Sequence, residues 1–299
     1  MFPAAFEYRA PETLDEVLDI LAERGEDAKV LAGGQSLVPL IKLRFARPEL
    51  LVDLNGITGL DDVIDGPVGL RIGALVRHRA LAEATDLDSR YAAITAAAPL
   101  IADPLIRNRG TVAGSLAHCD PAADWASVMV ALRASVHVRS STGERDVLVD
   151  ALLEGPFTTQ LEATEVITAV VVPAPPDRSG GTYLKLERRV GDFATVGAAV
   201  QLELSNGHIG RAGIALTAVG PRSVHATDAE AVLIGAEPGP GAFDEAADLA
   251  ARAADPVDDV RGSADYKRNV VRVFVRRGLD RAHSLAQDPE EGPWRSRSA

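Results

Sequence analysis

Residues 32–36 read Ala-Gly-Gly-Gln-Ser, between residues 29–31 and the apolar run 37–41. Residues 29–31 predict a short strand, and a helix or turn is expected over residues 40–44. Two glycines followed by a serine can hold successive backbone N–H groups in a concave nest, an arrangement that binds anions. A plain tight turn explains the same residues, so the stretch alone leaves a structural turn and a phosphate site both open.

The composition of the chain excludes several classes of function. Its 299 residues carry a formal net charge of −12, which argues against a general nucleic-acid binder. Cys119 is the single cysteine, so an internal disulfide is excluded, and an iron–sulfur cluster, which usually takes four thiolates, cannot be held by this chain alone. The sequence shows neither a signal peptide nor an apolar run near the ~20 residues of a membrane span, so we expect a cytoplasmic protein.

The first half of the chain predicts two lobes. Residues 1–57 form an N-terminal α/β lobe, whose first helix begins at the capping-box sequence Thr-Leu-Asp-Glu from Thr13 and whose last strand covers residues 50–54. Residues 58–176 form a middle α+β lobe, which ends in a stretch rich in proline and glycine. Its predicted strands lie at 68–73, 135–139 and 166–172, and its predicted helices at 91–98 and 122–132.

The second half predicts a separate domain over residues 177–285. Alternating apolar residues predict a three-stranded antiparallel sheet, with an Asn-Gly turn at 206–207 between its last two strands. The predicted strands are 182–188, 196–204 and 209–219, and helices are expected at 224–234, 243–254 and 264–281. Residues 286–299 are rich in Pro, Glu, Arg and Ser and predict a disordered tail.

A second stretch of small residues, 111–115, reads Thr-Val-Ala-Gly-Ser, and residues 117–125 read Ala-His-Cys-Asp-Pro-Ala-Ala-Asp-Trp. Glycine and alanine let the backbone approach a ligand closely. The Asp-Pro at 120–121 predicts a helix start, so Asp124 is expected one turn into the helix, where its carboxylate could accept from a sugar hydroxyl. Charge complementarity at a helix N-terminus is the alternative explanation of Asp120 and Asp124. His118 and Cys119 lack companions at metal-binding spacing.

Two nests about 75 residues apart suggest a ligand with two phosphates or a diphosphate. Together the two stretches resemble the FAD-binding medium subunit of the molybdenum hydroxylases, the family of carbon monoxide dehydrogenase and xanthine dehydrogenase. Residues 183–194, Tyr-Leu-Lys-Leu-Glu-Arg-Arg-Val-Gly-Asp-Phe-Ala, are similar to the K-x-x-x-R-x-x-D-F-A segment of that family, and the helix around 266–268 fits too. The resemblance covers about residues 3–283. It implies an α+β fold, a two-lobed PCMH-type FAD-binding domain followed by a C-terminal domain with a three-stranded antiparallel sheet and helices.

The resemblance also implies the cofactor, FAD, and the residues that hold it. Residues 32–36 and 111–115 would hold the pyrophosphate, Asp124 would bond the adenosine ribose, and Lys185 would lie near the flavin edge. Ile101 and Ile167 would make apolar contacts. The implied cofactor-binding residues are Ala32, Gly33, Gly34, Gln35, Ser36, Leu37, Ile101, Thr111, Ala113, Gly114, Ser115, His118, Asp124, Ile167 and Lys185; no residue is implied to be catalytic or to bind a metal.

Two positions depart from the family pattern. Ala113 stands where many relatives have a second glycine, and alanine is small enough to keep the nest. Gln35 stands where carbon monoxide dehydrogenases often have histidine, which argues against carbon monoxide as the substrate of the complex but not against FAD binding.

The function implied is electron transfer within a molybdenum-dependent dehydrogenase. Electrons would pass from the molybdenum cofactor of a large subunit, through two [2Fe–2S] clusters of a small subunit, to FAD on this chain and then to an external acceptor. The resemblance further implies a dimer of heterotrimers, and a medium subunit that is inactive alone on the organic substrate. Carbon monoxide, a purine, an N-heterocycle and an aldehyde all stay open as that substrate. The absence of a cysteine-rich insertion argues against hydroxybenzoyl-CoA reduction.

An alternative function is a non-redox nucleotide-binding or assembly module that has lost flavin. For the electron-transfer role, the small subunit is expected to dock around residues 185–193, beside the flavin. Arg268, Arg272 and Arg276 recur along one side of the last helix, where a solvated face of an amphipathic helix is expected.

Overall fold

The computed structural model describes residues 2–87 and 90–287. Each of its three main sheets takes its strands from one part of the chain. Within those residues the strands form sheets of three, five and four strands and one two-stranded hairpin. The sheets of three, five and four strands draw their strands from residues 7–53, 63–173 and 179–225, in that order. In the same described ranges, no helix has the length and apolar character that a membrane crossing requires.

The N-terminal lobe is a parallel sheet in the order β1-β3-β2 with a helix packed on it. The capping box at the start of α1 is confirmed: Thr13 Oγ1 accepts from the backbone N–H of Glu16 at 3.3 Å, and Glu16 Oε2 accepts from that of Thr13 at 3.2 Å. α2 starts earlier than expected, directly after Ser36. The elements are β1 (Glu7–Arg9), α1 (Leu14–Arg24), β2 (Ala28–Leu31), α2 (Leu37–Lys42) and β3 (Leu50–Asp53).

The middle lobe is an antiparallel sheet in the order β4-β5-β10-β6-β7, with short helices between its strands. Its strands are β4 (Val63–Gly66), β5 (Gly69–Gly73), β6 (Ser135–Ser140), β7 (Gly143–Leu148) and β10 (Val166–Pro173), and β8 (Leu153–Gly155) and β9 (Thr158–Thr159) form the hairpin. Its helices are α3 (His78–Ala82), α4 (Ala92–Ala97), α5 (Pro104–Arg107), α6 (Val112–His118), α7 (Asp124–Ala131) and α8 (Val149–Leu152). The prediction missed the edge strands β4 and β7.

The start of α7 corrects one expectation about the site. Asp120 does not begin the helix; its carboxylate accepts from the backbone N–H of Ala122 at 2.9 Å and closes a turn before it. The helix begins at Asp124, so this residue is the first of α7 rather than one turn inside it.

The C-terminal domain has the predicted antiparallel strands and one more. The hairpin at Asn206 and Gly207 is confirmed, and both residues have the positive φ of a primed turn, 52° and 81°. The strands are β11 (Ser179–Glu187), β12 (Ala194–Ser205), β13 (His208–Thr217) and β14 (Val224–His225), and the helices are α9 (Thr227–Ala231), α10 (Pro240–Ala253) and α11 (Ala264–Gln287). The helix expected from 224 begins at Thr227, because the two residues of β14 pair with β13.

The last helix differs from its prediction in length and in surroundings. α11 includes residues 286 and 287, so the predicted tail cannot begin at 286; residues 288–299 lie outside the described part of the chain. Arg268, Arg272 and Arg276 do not form a merely solvated face. They pair with carboxylates in and just after α10: Arg276 with Asp244 at 2.6 Å, Arg272 with Asp248 at 3.7 Å and Arg268 with Asp255 at 3.9 Å.

A charged cluster joins the middle lobe to the C-terminal domain. The ring of His225 lies between two carboxylates, with Nδ1 2.8 Å from Asp150 Oδ2 and Nε2 2.9 Å from Glu230 Oε1. Arg222 also bonds to Asp150 at 2.9 Å, and Arg133 to Glu230 at 2.9 Å. The hydrogen bonds to Asp150 and Glu230 raise the pKa of His225 from 6.5 to about 9, so the ring is charged at neutral pH.

This cluster predicts a pH dependence of stability. Because the folded-state pKa is raised, the contribution of His225 is fully present below about pH 6.5 and is lost as the pH rises through about 9. We expect the free energy of unfolding to fall between these values by clearly more in the native chain than in His225→Gln, whose side chain does not titrate. Denaturant titrations at pH 6.5 and 9 compare the two; equal slopes would contradict the assignment.

Candidate cofactor site

The glycine turn connects β2 directly to α2. Gly34 has φ +73°, in the left-handed region that favours glycine. Within residues 2–87 and 90–287, the backbone N–H groups of residues 33–36 donate to no other atom. The turn lines a cleft of ≈ 350 Å³, whose wall also includes Lys42 and Arg109. Free N–H donors beside two cationic side chains make this cleft a place for an anion.

The glycine turn lies against the two residues that precede the second stretch of small residues. A Cβ added to Gly33 would lie 2.3 Å from the carbonyl oxygen of Arg109 and 2.8 Å from Cα of Gly110, so no other residue fits there without movement. The turn of the N-terminal lobe therefore lies against the residues that immediately precede Thr111 in the middle lobe. This close approach of backbone to backbone explains why residue 33 is a glycine.

Two polar residues that the sequence did not single out hold this junction together. Asn55, just after β3, donates from Nδ2 to the carbonyl oxygen of Ala32 at 2.9 Å. Arg77 donates from Nη2 to Asn55 Oδ1 and from Nη1 to the carbonyl oxygen of Arg109, both at 2.5 Å. Asn55 and Arg77 thus link the carbonyl before the glycine turn to the carbonyl before the second stretch, across the two lobes.

A buried histidine, His78, contacts the residue that precedes the second stretch. His78 Nδ1 accepts from the indole N–H of Trp125 at 3.0 Å, and the backbone N–H of His78 donates to the carbonyl oxygen of Gly110 at 3.0 Å. Burial, with smaller effects from Arg107 and Arg77, lowers the pKa of His78 to about 4, so the ring is neutral at pH 7. A Cβ on Gly110 would lie 2.7 Å from His78 Nε2, so glycine is also required there.

The second stretch itself forms the start of α6. Thr111 is buried, and its Oγ1 accepts from the backbone N–H of Gly114 at 3.1 Å, which caps the helix. Ala113 is buried, whereas Gly114 and Ser115 are partly exposed. His118 lies at the opposite end of α6, with its ring 5.1 Å from that of Phe157, so the structure separates it from the capped end.

Asp124 and Lys185, to which the resemblance gives separate roles, form a buried ion pair. Lys185 Nζ is 2.9 Å from Asp124 Oδ2, and the side chain of Lys185 is 1% exposed. Tyr183 donates its hydroxyl to Asp124 Oδ1 at 2.6 Å. Burial raises the pKa of Asp124 above its ordinary value against the opposing effect of Lys185, and burial beside this carboxylate holds the pKa of Tyr183 well above its own. Both oxygens of Asp124 are therefore engaged within the protein, and its predicted contact with a ribose stays a prediction.

Glu187 extends this buried group of charges. Its Oε2 lies 3.4 Å from Lys185 Nζ and, among the described residues, is a buried oxygen without a hydrogen-bond partner. Lys185 also donates to the carbonyl oxygen of Leu100 at 2.9 Å. A buried acceptor without a partner is unusual in a folded protein. Elsewhere in the chain, the free N–H groups of the glycine turn fit FAD, whose diphosphate needs donors.

The two predicted apolar contacts are both core residues of the middle lobe. Ile101 is 8% exposed and follows Leu100 directly, next to the contact with Lys185. Ile167 is 6% exposed and lies in β10 opposite Val138 of β6. Their contact with a cofactor stays a prediction. Among the described residues, no cluster of His, Cys, Asp or Glu is arranged to hold a metal ion.

A glycine turn with free N–H groups, set against a second small-residue stretch, defines a protein that binds a phosphate-bearing cofactor. Comparison with known proteins gives the family. Residues 4–175 match the FAD binding domain in molybdopterin dehydrogenase, and residues 181–282 match the CO dehydrogenase flavoprotein C-terminal domain. The chain belongs to this family of FAD-binding medium subunits. The predicted family, the α+β fold class and FAD as the cofactor are therefore confirmed.

Named relatives extend over nearly the whole chain. The carbon monoxide dehydrogenase medium chain of Hydrogenophaga pseudoflava is 38% identical over 94% of this chain and 98% of its own length. The 6-hydroxypseudooxynicotine dehydrogenase complex subunit alpha of Paenarthrobacter nicotinovorans is 39% identical over 97% of this chain and 99% of its own. Among solved structures, a carbon monoxide dehydrogenase from Hydrogenophaga pseudoflava that lacks the Mo-pyranopterin moiety superposes with a TM-score of 0.91 at 40% identity, covering 95% of this chain and 99% of that chain.

Proposed function

We propose that this chain is the FAD-binding electron-transfer subunit of a heterotrimeric molybdenum-dependent dehydrogenase. The observation that supports it most directly is the contact of Gly33 with Arg109 and Gly110, because it brings the glycine turn of one lobe next to the start of the second small-residue stretch in the other. The bound flavin supplies the redox chemistry. Electrons would arrive from [2Fe–2S] clusters of a small subunit and leave to an external acceptor.

The residues of this chain bind and orient the cofactor in this proposal. The backbone N–H groups of residues 33–36 would donate to the diphosphate, and Lys42 and Arg109 would add positive charge beside it. Asn55 and Arg77 would keep the two lobes in register, so that the N–H groups face one ligand. Lys185, held by Asp124 and Glu187, would lie near the flavin edge and add positive charge there.

The organic substrate is proposed to bind on another subunit. Relatives of nearly equal similarity to this chain carry the names of different substrates: 38% identity for a carbon monoxide dehydrogenase chain and 39% for a 6-hydroxypseudooxynicotine dehydrogenase subunit. Similarity in this subunit therefore does not follow the substrate. Gln35 favours a substrate other than carbon monoxide, which leaves N-heterocycles, purines and aldehydes.

The partners proposed are a large molybdenum-cofactor subunit and a small [2Fe–2S] subunit, in a dimer of heterotrimers located in the cytoplasm. Close to Lys185, the segment after β11 exposes apolar side chains, with Val190 99% and Phe193 52% exposed. Leu105 of α5, 77% exposed, belongs to the same region, because a Cβ on Gly191 would lie 3.1 Å from the carbonyl group of Ala102. Exposed apolar patches of this kind mark protein interfaces.

The flavin assignment has a simple test. The purified chain is expected to be yellow, to release about one FAD on denaturation and to bleach when a reductant is added. A preparation that binds ADP but neither carries nor takes up FAD would instead support the non-redox nucleotide-binding module.

The partner assignment is tested by co-expression with both candidate partner chains and size-exclusion chromatography with light scattering. We expect a complex of all three chains. Val190→Asp should weaken it, whereas Val68→Asp, a substitution at a valine 85% exposed in the turn between β4 and β5, should not. Elution of this chain alone as a flavin-loaded monomer would exclude the electron-transfer role.

A further inference from the structure

The N-terminal lobe exposes aromatic side chains at a second place. Phe2 is 85% exposed, Phe45 80% and Leu43 52%, and the last two belong to the connection between α2 and β3. These three residues, with Arg44 and Arg47, are called the arm surface below. Large apolar side chains exposed next to one another are typical of an interaction site.

The arm surface has a fixed conformation. Arg44 has φ +62°, which residues other than glycine rarely adopt, and its Nε donates to the carbonyl oxygen of Phe2 at 3.3 Å. The backbone N–H of Phe45 donates to the carbonyl oxygen of Leu40 at 2.9 Å, and that of Leu43 to Pro39 at 3.0 Å. These bonds tie the chain on both sides of Phe45 to the end of α2, while its ring stays outside the core.

The charge of the arm surface is opposite to that of the whole chain. Neither Arg44 nor Arg47 forms an ion pair with any described residue, although the chain as a whole carries a net charge of −12. Arg47 Nε donates to the carbonyl oxygen of Arg44 at 3.2 Å, which orients the side chain without neutralising it. Two unneutralised guanidinium groups beside exposed phenylalanines are complementary to an apolar socket rimmed by carboxylates.

We propose that the arm surface docks a partner chain of the complex through such an acidic, apolar-centred socket. This inference rests on the proposed function, which requires partner chains. A two-fold contact centred on the arm surface would bring Arg44 and Arg47 close to the same residues of the second copy, and like charges in contact oppose association. The small subunit is expected to dock around residues 185–193 of the C-terminal domain, so the partner proposed for the arm surface, in the N-terminal lobe, is the large subunit.

The test uses the full chain co-expressed with both candidate partners. The variant Phe45→Ser/Arg44→Glu/Arg47→Glu is expected to weaken binding of the large subunit about tenfold or more at low salt, with flavin content and thermal midpoint unchanged. The matched control Val68→Ser/Arg252→Glu/Arg277→Glu changes three exposed residues by the same chemistry and should bind as the native chain does. Arg44→Lys/Arg47→Lys keeps the charge and should retain most of the affinity. The effect of the charge-reversed pair should shrink near 1 M salt.

A photo-activatable cross-linker attached to the thiol of Leu43→Cys identifies the occupant, because the native thiol of Cys119 is buried. The label is expected to join the large subunit. Native affinity in the Phe45→Ser/Arg44→Glu/Arg47→Glu variant, or a cross-link only to a second copy of this chain, would refute the docking inference and leave the proposed function intact. Failure of the native chain to bind either partner would refute the proposed function itself.

Discussion

Gly33→Val is expected to give a colourless protein with a lowered unfolding midpoint. The new Cβ would lie 2.3 Å from the carbonyl oxygen of Arg109, a backbone atom that cannot move aside without separating the two lobes. The FAD-to-protein absorbance ratio and a thermal melt measure both effects. Gly143→Val is the matched control, because a Cβ there has no atom within 4 Å.

Gly34→Asp tests anion binding by comparison with Gly34→Asn, which puts a neutral side chain of the same size at the same φ of +73° and should keep clearly more FAD. A Cβ on Gly34 meets only side-chain atoms of Leu31 and Val38, both at 3.2 Å, but the substituted carboxylate would repel a diphosphate. Charge-assisted hydrogen bonds contribute roughly 1.5–3 kcal/mol each, so losing two weakens FAD binding about a hundredfold or more. Gly241→Asp, in the open first turn of α10, should bind FAD as the native chain does. Full flavin content in Gly34→Asp would show that residues 32–36 form only a turn.

Lys185→Met is expected to cost stability and flavin together. Removing one partner of a buried ion pair leaves the other charge uncompensated, which costs about 3–5 kcal/mol, and here Asp124 would remain buried with only Tyr183 as a donor. Urea titration measures the loss. Asp124→Asn/Lys185→Met, which removes both charges, should recover part of the stability.

A second buried lysine provides the control for this prediction. Lys267 of α11 is 2% exposed and pairs with Asp259 at 2.8 Å, in the C-terminal domain. Lys267→Met should therefore lose stability while keeping its FAD. Equal flavin loss in Lys267→Met and Lys185→Met would mean that general destabilisation, and not the site, explains the effect of Lys185.

Local signals were sufficient for the elements that depend on neighbouring residues. The capping box at Thr13 specifies the start of α1, and the Asn206-Gly207 turn specifies the register of β12 and β13. β4 and β7 escaped prediction because both are edge strands whose residues are mainly exposed and show no apolar alternation. The helix predicted from residue 122 begins at Asp124, because Asp120 closes a separate turn before it.

At the site too, features that depend on neighbouring residues were predictable and contacts between distant residues were not. Glycine pairs and small residues are visible in a sequence, and they indicated the two stretches. The bonds from Asn55 to Ala32 and from Arg77 to Arg109 join residues 23 and 32 positions apart within each lobe, and the bond from Arg77 to Asn55 joins the two lobes. Nothing in a single sequence relates such residues. The direct pairing of Asp124 with Lys185, 61 positions apart, could not be foreseen for the same reason.

Tyr183 and Lys185 are two residues apart on β11, so their side chains share a face of the strand and both reach Asp124 at the start of α7. One carboxylate from the middle lobe thus depends on a hydroxyl and an amine supplied by another domain. A hybrid protein built by exchanging residues 177–285 with those of a relative would inherit half of this arrangement from each parent. Such a hybrid is expected to hold FAD only when its donor places tyrosine and lysine at these two positions in the same strand register, which gives a rule for choosing parents.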